Sequence, residues 1–323
     1  MLTGLFRSNQ PAVLLSALVL VPLLFAGAFT GAPVPEGVHM VLFQVLLDKA
    51  GASVAAQGGI AIGLVLILTL QLASLVNNTE QTDRRNHLVV FLFPVLFALF
   101  HRSVLLDPAL AGMPLVIWAM RRAWSISNAG PALGPLFDAG LLLGLSALVY
   151  LPYAFLVVVV WASVSVIRPF QWREYLAPAL GAAVVFYLAW GVLHLNGLTP
   201  WRPLLTVADP RPLGLDASPL TWRMLRAVVL FLVLLTALYE FMVSYQRGVM
   251  QVKNLRSSFL ALGAALSVVV GGVHALNNAF PPVLLAAPVS VVAVHGFLGN
   301  RRMALRELAL WVLLALALWA QWT

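Results

Sequence analysis

Apolar runs recur along this chain from its first residues to its last, and that recurrence limits what it can fold into. About eleven segments read as membrane crossings: 11–31, 58–76, 88–101, 108–120, 136–150, 153–167, 175–195, 222–245, 257–275, 280–297 and 305–322. A helix needs about 20 apolar residues to cross a bilayer, so several of these runs are short. In "HRSVLLDPALAGMPLVIWAMRR" (101–122) a charged corner separates two such short runs. Composition agrees with a membrane class, at 62% hydrophobic and 9% charged, against roughly 25% charged in a soluble domain. The alternating ten-residue strands of a transmembrane barrel are absent from the pattern. The expected fold class is therefore all-α: a polytopic transmembrane helical bundle forming a single integral membrane domain over 1–323.

Charge then orients the spans. With a cytoplasmic N-terminus, thirteen lysines and arginines fall in inner loops and six in outer ones, as the positive-inside rule requires. The prediction is a bacterial inner-membrane protein with a cytoplasmic N-terminus and a periplasmic C-terminus. On this reading the net charge of +8 orients helices, and no nucleic acid is expected as a partner. Merging 88–120 or 136–167 into single spans puts Arg121 and Arg122 on the wrong side, so each stretch is read as two crossings. Cysteine is absent, which excludes disulfides and thiolate chemistry. "LFAGAFTGA" (24–32) carries a signal-peptidase-like pattern at Ala26 and Ala28, but its apolar run is longer than a secretory h-region and reads as an uncleaved anchor. The sequon at Asn77 falls on the cytoplasmic side and reads as chance.

Two outer segments do not cross. Residues 32–57 form an outer loop in which "VHMVLFQVLLDKAG" is expected to be an interfacial helix. Residues 196–221 form an outer proline-rich loop whose prolines forbid a long helix.

Ionisable groups in mid-span, the mark of ion coupling, are nearly missing. Glu240 lies near the inner end of its span and is expected to snorkel. Asp138 opens its segment, where a carboxylate suits a helix N-terminus. His39, His101, His194 and His274 fall on the outer side, but no pair has the spacing that places two ligands on one helix face. Neither a metal nor a cofactor is expected. The outer acids and arginines form a more coherent set. Glu36, Asp48 and Asp107 are the candidate catalytic residues, because a carboxylate at the bilayer surface can serve as general base. Arg102, Arg202 and Arg211 are the candidate substrate-binding residues, because the planar guanidinium grips phosphate.

Two resemblances bear on these residues. "FPVLFALFHRSVLLDPALAGMPLVIWAMRRAWS", "LFDAGLLLGLSALVYLPYAFLVVVVWASV" and "REYLAPALGAAVVFYLA", with "SSFLALGAALSVVVGG" and "FPPVLLAAPVSVVAVHGFLGNRR" near the C-terminus, resemble a family of uncharacterised multi-pass inner-membrane proteins from Bacteroidota. More loosely, residues 99–195 look like the middle of the GT-C superfamily of membrane glycosyltransferases, through Arg102, Asp107 and Pro108, then Gly140 and Gly144. That likeness implies a catalytic acid in the first outer loop, Glu36 or Asp48, ahead of an interfacial helix. Where such enzymes often carry lysine or arginine after the glycine-rich span, this chain has Tyr150 or Tyr153. The first outer loop also lacks their paired acidic motif, and the chain lacks their large soluble C-terminal domain.

The expectation is a GT-C-like transferase, active or degenerate, that takes sugar from a polyprenyl-phosphate carrier on the periplasmic side. The alternatives are a non-enzymatic scaffold or subunit of a cell-envelope assembly, with envelope proteins as partners, and a transporter of an uncharged or lipidic solute. Membrane lipids are partners under all three.

Overall fold

The structure is a computed structural model. It describes residues 4, 6, 12–29, 39–51, 53–79, 81–82, 85–100, 106–126, 130–197, 220–277, 280–298 and 303–322. Among these residues the chain is all-α. In order, the helices are α1 (Ala12–Leu24), α2 (Val41–Ala50), α3 (Val54–Asn78), α4 (Leu88–Phe100), α5 (Pro108–Ala123) and α6 (Leu133–Val149). They continue as α7 (Val157–Ile167), α8 (Trp172–Leu195), α9 (Leu220–Arg247), α10 (Met250–Asn277), α11 (Val283–Leu298) and α12 (Met303–Trp322). Short 3-10 turns at Ala26–Phe29 and Leu151–Leu156 follow α1 and precede α7. Four helices, at Val54–Asn78, Trp172–Leu195, Met224–Arg247 and Met250–Leu276, are long and apolar enough to cross a membrane, and shorter apolar helices stand among them. This is an integral membrane protein.

Local sequence sets the boundaries. Gly51 closes α2 with φ 65°, a left-handed backbone that suits glycine. Ser53 then caps α3 by accepting from the Ala56 amide. Within 32–57 the structure has one described helix, α2, of 10 residues, ahead of the start of α3.

Length and burial run in opposite directions. α4 is 13 residues, about 20 Å at 1.5 Å per residue, and every residue from Leu88 to Leu99 is buried. α11 has 16 residues, of which twelve are buried. The long α9 is mostly exposed beyond its contacts with α11. A helix that is apolar on every face has to be enclosed or lie in lipid. α4 and α11 are enclosed, so they meet protein along their length and need not match the full hydrocarbon thickness, whereas the short α1 and α7 keep exposed faces.

The middle of the chain is a ladder of short helices. α5 and α6 are antiparallel: Gly112 faces Tyr153 and the Ser146 carbonyl, and at the other end Arg122 pairs with Asp138 at 2.8 Å. α6 and α8 run parallel and very close. A Cβ on Gly140 would collide with the Pro178 backbone, one on Gly181 with Phe137, and one on Gly144 would come within 2.9 Å of Val185. Small residues let membrane helices approach in this way. α7 returns between them: Arg168, just past its end, donates to the Gly130 carbonyl at 2.7 Å, and Trp124 donates to Ser163 at 3.0 Å. Residues 88–120 and 136–167 are thus two helices each, as charge placement predicted.

These ties define two ends. The α2 end carries α2, Asp107 and Tyr150. The basic end carries Arg122, Arg168, Arg173, Arg256 and the loop before α4.

Candidate functional site at the α2 end

Asp107 starts α5. Its backbone is extended, its carboxylate accepts from the Ala109 amide at 3.2 Å, and Pro108 occupies the first helical position. Beside it, Leu106 packs with Val149 beneath Phe43 of α2. Met40, at the start of α2, packs on Leu148 and Val185. α2 therefore lies over the start of α5 and over the end of α6.

Two tyrosines line the same corner. Tyr153 lays its ring against Gly112 and donates its hydroxyl to the Ala109 carbonyl. Tyr150, in the extended link after α6, meets the Tyr153 ring edge-on at 5.1 Å. Tyr150 is 3% exposed, and among the described residues its hydroxyl has no hydrogen-bond partner. A phenol is protonated at neutral pH, so this hydroxyl is available as a donor. His39 completes the corner, edge-on to Phe43 at 5.1 Å.

Of the acids and arginines nominated from sequence, the structure brings Asp107 into this corner. Asp48 stands on the exposed side of α2, where Gln44 donates to it at 3.2 Å. Glu36, Arg102, Arg202 and Arg211 lie outside the described residues, as does His101. Glu36 is three positions ahead of His39 in the chain. His194 stacks on Trp190 at an exposed position. Among the described residues no group of three His, Cys, Asp or Glu side chains has the geometry to hold a metal ion.

The basic end holds polar structure that sequence reading did not find. Arg256 is fully buried and donates to the Gln81 carbonyl at 3.0 Å and to Ser244 at 2.9 Å. His295 Nε2 lies 3.0 Å from the same carbonyl. The Asn77 side chain donates to the Asn86 carbonyl at 3.0 Å and accepts from the Asn86 amide at 3.1 Å, across the loop before α4. Glu240, expected to snorkel alone, pairs with Arg306 at 2.9 Å. Asp138, placed from sequence at a helix N-terminus, is the partner of Arg122. No single-residue signal marks these pairs, since Arg256 and Gln81 are 175 positions apart.

A family model matches residues 37–321, nearly the whole chain and all of the helices from α2 on. The chain belongs to DUF6427, a family of unknown function. The match takes in α2, the Asp107 corner, both tyrosines and the buried network, so these belong to the region that defines a DUF6427 chain. No curated protein and no solved structure matches it.

Proposed function

We propose that this DUF6427 protein is a GT-C-like glycosyltransferase of the bacterial inner membrane. It crosses the membrane eleven times, with a cytoplasmic N-terminus and a periplasmic C-terminus, and the α2 end faces the periplasm. Its donor is a sugar on a polyprenyl phosphate. The observation that carries this reading is the corner itself. A helix that follows the first span lies over a corner that holds a half-buried carboxylate, and beside it a buried tyrosine hydroxyl has no partner among the described residues. A buried polar group without a partner costs roughly 1–3 kcal/mol. A ligand oxygen arriving at Tyr150 would satisfy it.

The proposed roles rest on residue chemistry and on position in the sequence. Glu36, close in sequence to His39, is the base that takes the proton from the acceptor hydroxyl as that oxygen attacks the sugar carbon. Arg102, Arg202 and Arg211 hold the departing lipid phosphate. Tyr150 donates to the substrate, and Asp107 fixes the corner and its electrostatics. Asp48, exposed and already bonded to Gln44, is the weaker candidate for base.

The test is mass spectrometry of lipid-linked glycans from wild-type, deletion, Glu36→Gln, Asp48→Asn and Asp107→Asn strains. The deletion should accumulate an unextended lipid-linked sugar, Glu36→Gln should copy it, and Asp48→Asn should resemble wild type. Asn caps a helix as well as Asp does, so Asp107→Asn tests the charge with the fold kept. A deletion profile identical to wild type would overturn the proposal.

A further inference from the structure

The first turns of α6 and α8 enclose an apolar groove at the basic end. It has a volume of about 470 Å³ and is lined by Leu133, Phe137, Leu176, Ala177 and Leu180, with Trp172 and Arg173 at its rim. That volume falls within the ~300–1,000 Å³ typical of small-molecule sites. The groove opens on the outside of the bundle, where in a membrane the neighbouring molecules are lipids.

The charges around it are unevenly matched. Arg122 is paired with Asp138, and Arg168 with Glu174 at 3.3 Å. Arg173 is exposed and rests on the Trp172 ring at 5.6 Å, with no carboxylate partner among the described residues. Because α6 and α8 are parallel, their N-termini emerge together at this rim. Neither is capped by a side chain: Ala132 has none to offer and Gln171 makes no capping bond. The first amides of each helix, Leu133 and Gly134 in α6 and Trp172 and Arg173 in α8, and the positive ends of two helix dipoles thus add to the Arg173 side chain. The Glu174 carboxylate in the first turn of α8 is taken up by Arg168. A tryptophan and an arginine above an apolar slot is the pattern of a bilayer interface.

We infer that this groove is a binding site for an anionic glycerophospholipid, with one acyl chain between α6 and α8 and the phosphate at Arg173 and the two helix starts. The site is separate from the α2 end, and its test does not depend on the proposed transferase activity.

Gly134 provides a clean probe. It lines the groove, and a Cβ built there meets nothing within 4 Å, so Gly134→Leu fills the slot without a clash. Purified protein in detergent would be mixed with phosphatidylglycerol or phosphatidylcholine of the same chains, and bound lipid counted by native mass spectrometry. Wild type should retain phosphatidylglycerol over phosphatidylcholine by about fivefold, the contribution expected of one basic residue near anionic lipid. Arg173→Gln should bind both lipids equally, and Gly134→Leu should lose both while melting no lower than wild type without lipid. Glycerol 3-phosphate, the headgroup without chains, should not compete; competition would place a free phosphate in the site instead. A photoreactive group on the acyl chain of phosphatidylglycerol should label 133–137 and 176–180, and this arm stands even if Gly134→Leu fails to fold. Equal binding of the two lipids by wild type, unchanged binding by folded Gly134→Leu, or labelling elsewhere would overturn the inference.

Discussion

Replacing Tyr150 by Phe removes a buried hydroxyl that has no partner among the described residues and leaves the ring on Tyr153 in place. Because no described residue loses a hydrogen bond, Tyr150→Phe should change stability by less than about 1 kcal/mol, or raise it. Under the proposed function the same variant should lose most transferase activity, so unchanged melting with lost activity marks the hydroxyl as a substrate contact. His87 makes a second residue-scale prediction. It sits just ahead of α4, buried, and burial lowers its pKa from the ordinary 6.5. The unfolded chain therefore binds more protons below that value, and stability falls as pH drops through 6.5, levelling off below the folded pKa. Melting temperatures between pH 8 and pH 5 should show this decline, and His87→Gln should flatten part of it. At this scale the sequence was only partly legible. Asp107 followed by Pro108 reads directly as a helix start. The burial of Tyr150 and His87 depends on helices distant in sequence and leaves no local mark.

Between elements, α6 and α8 are held by glycines, and the substitutions separate cleanly. Gly140→Val drives a side chain into the Pro178 backbone and should cost at least 1–3 kcal/mol, the usual price of overpacking. Gly63, in the interior of α3, has nothing within 4 Å of a built Cβ. Gly63→Ala should be neutral or stabilise by up to about 1 kcal/mol, since alanine favours helix. Thermal melts of the two variants side by side check the pair. The helices themselves were legible, because apolar runs bounded by Pro, Gly and charge give α3 to α12 nearly in place. Which of them are central was not. α4 and α11 are apolar on every face, so no periodicity points toward a neighbour, and their short lengths alone hint that protein surrounds them.

For the whole molecule, the proposed orientation is directly testable because the chain has no cysteine. Single cysteines at Lys49, exposed on α2, and at Gln171, exposed ahead of α8, should react with a membrane-impermeant maleimide from opposite sides. In intact inner-membrane preparations of known sidedness, labelling of both from one side would remove the alternating arrangement. Charge balance gave this orientation from sequence. The pairing of those charges, Arg122 with Asp138 and Arg168 with Glu174, needed three dimensions.

The enclosure of α4 also governs how the protein is made. α4 leaves the ribosome well before two of the helices that pack around it, α11 and α12, which lie far downstream in the chain. Until those arrive, a helix of about 20 Å must wait in a bilayer core of about 30 Å with part of its surface uncovered. Truncations before Val283 should therefore be degraded as unassembled chains, and the quality-control step for this protein waits on the synthesis of α11 and α12.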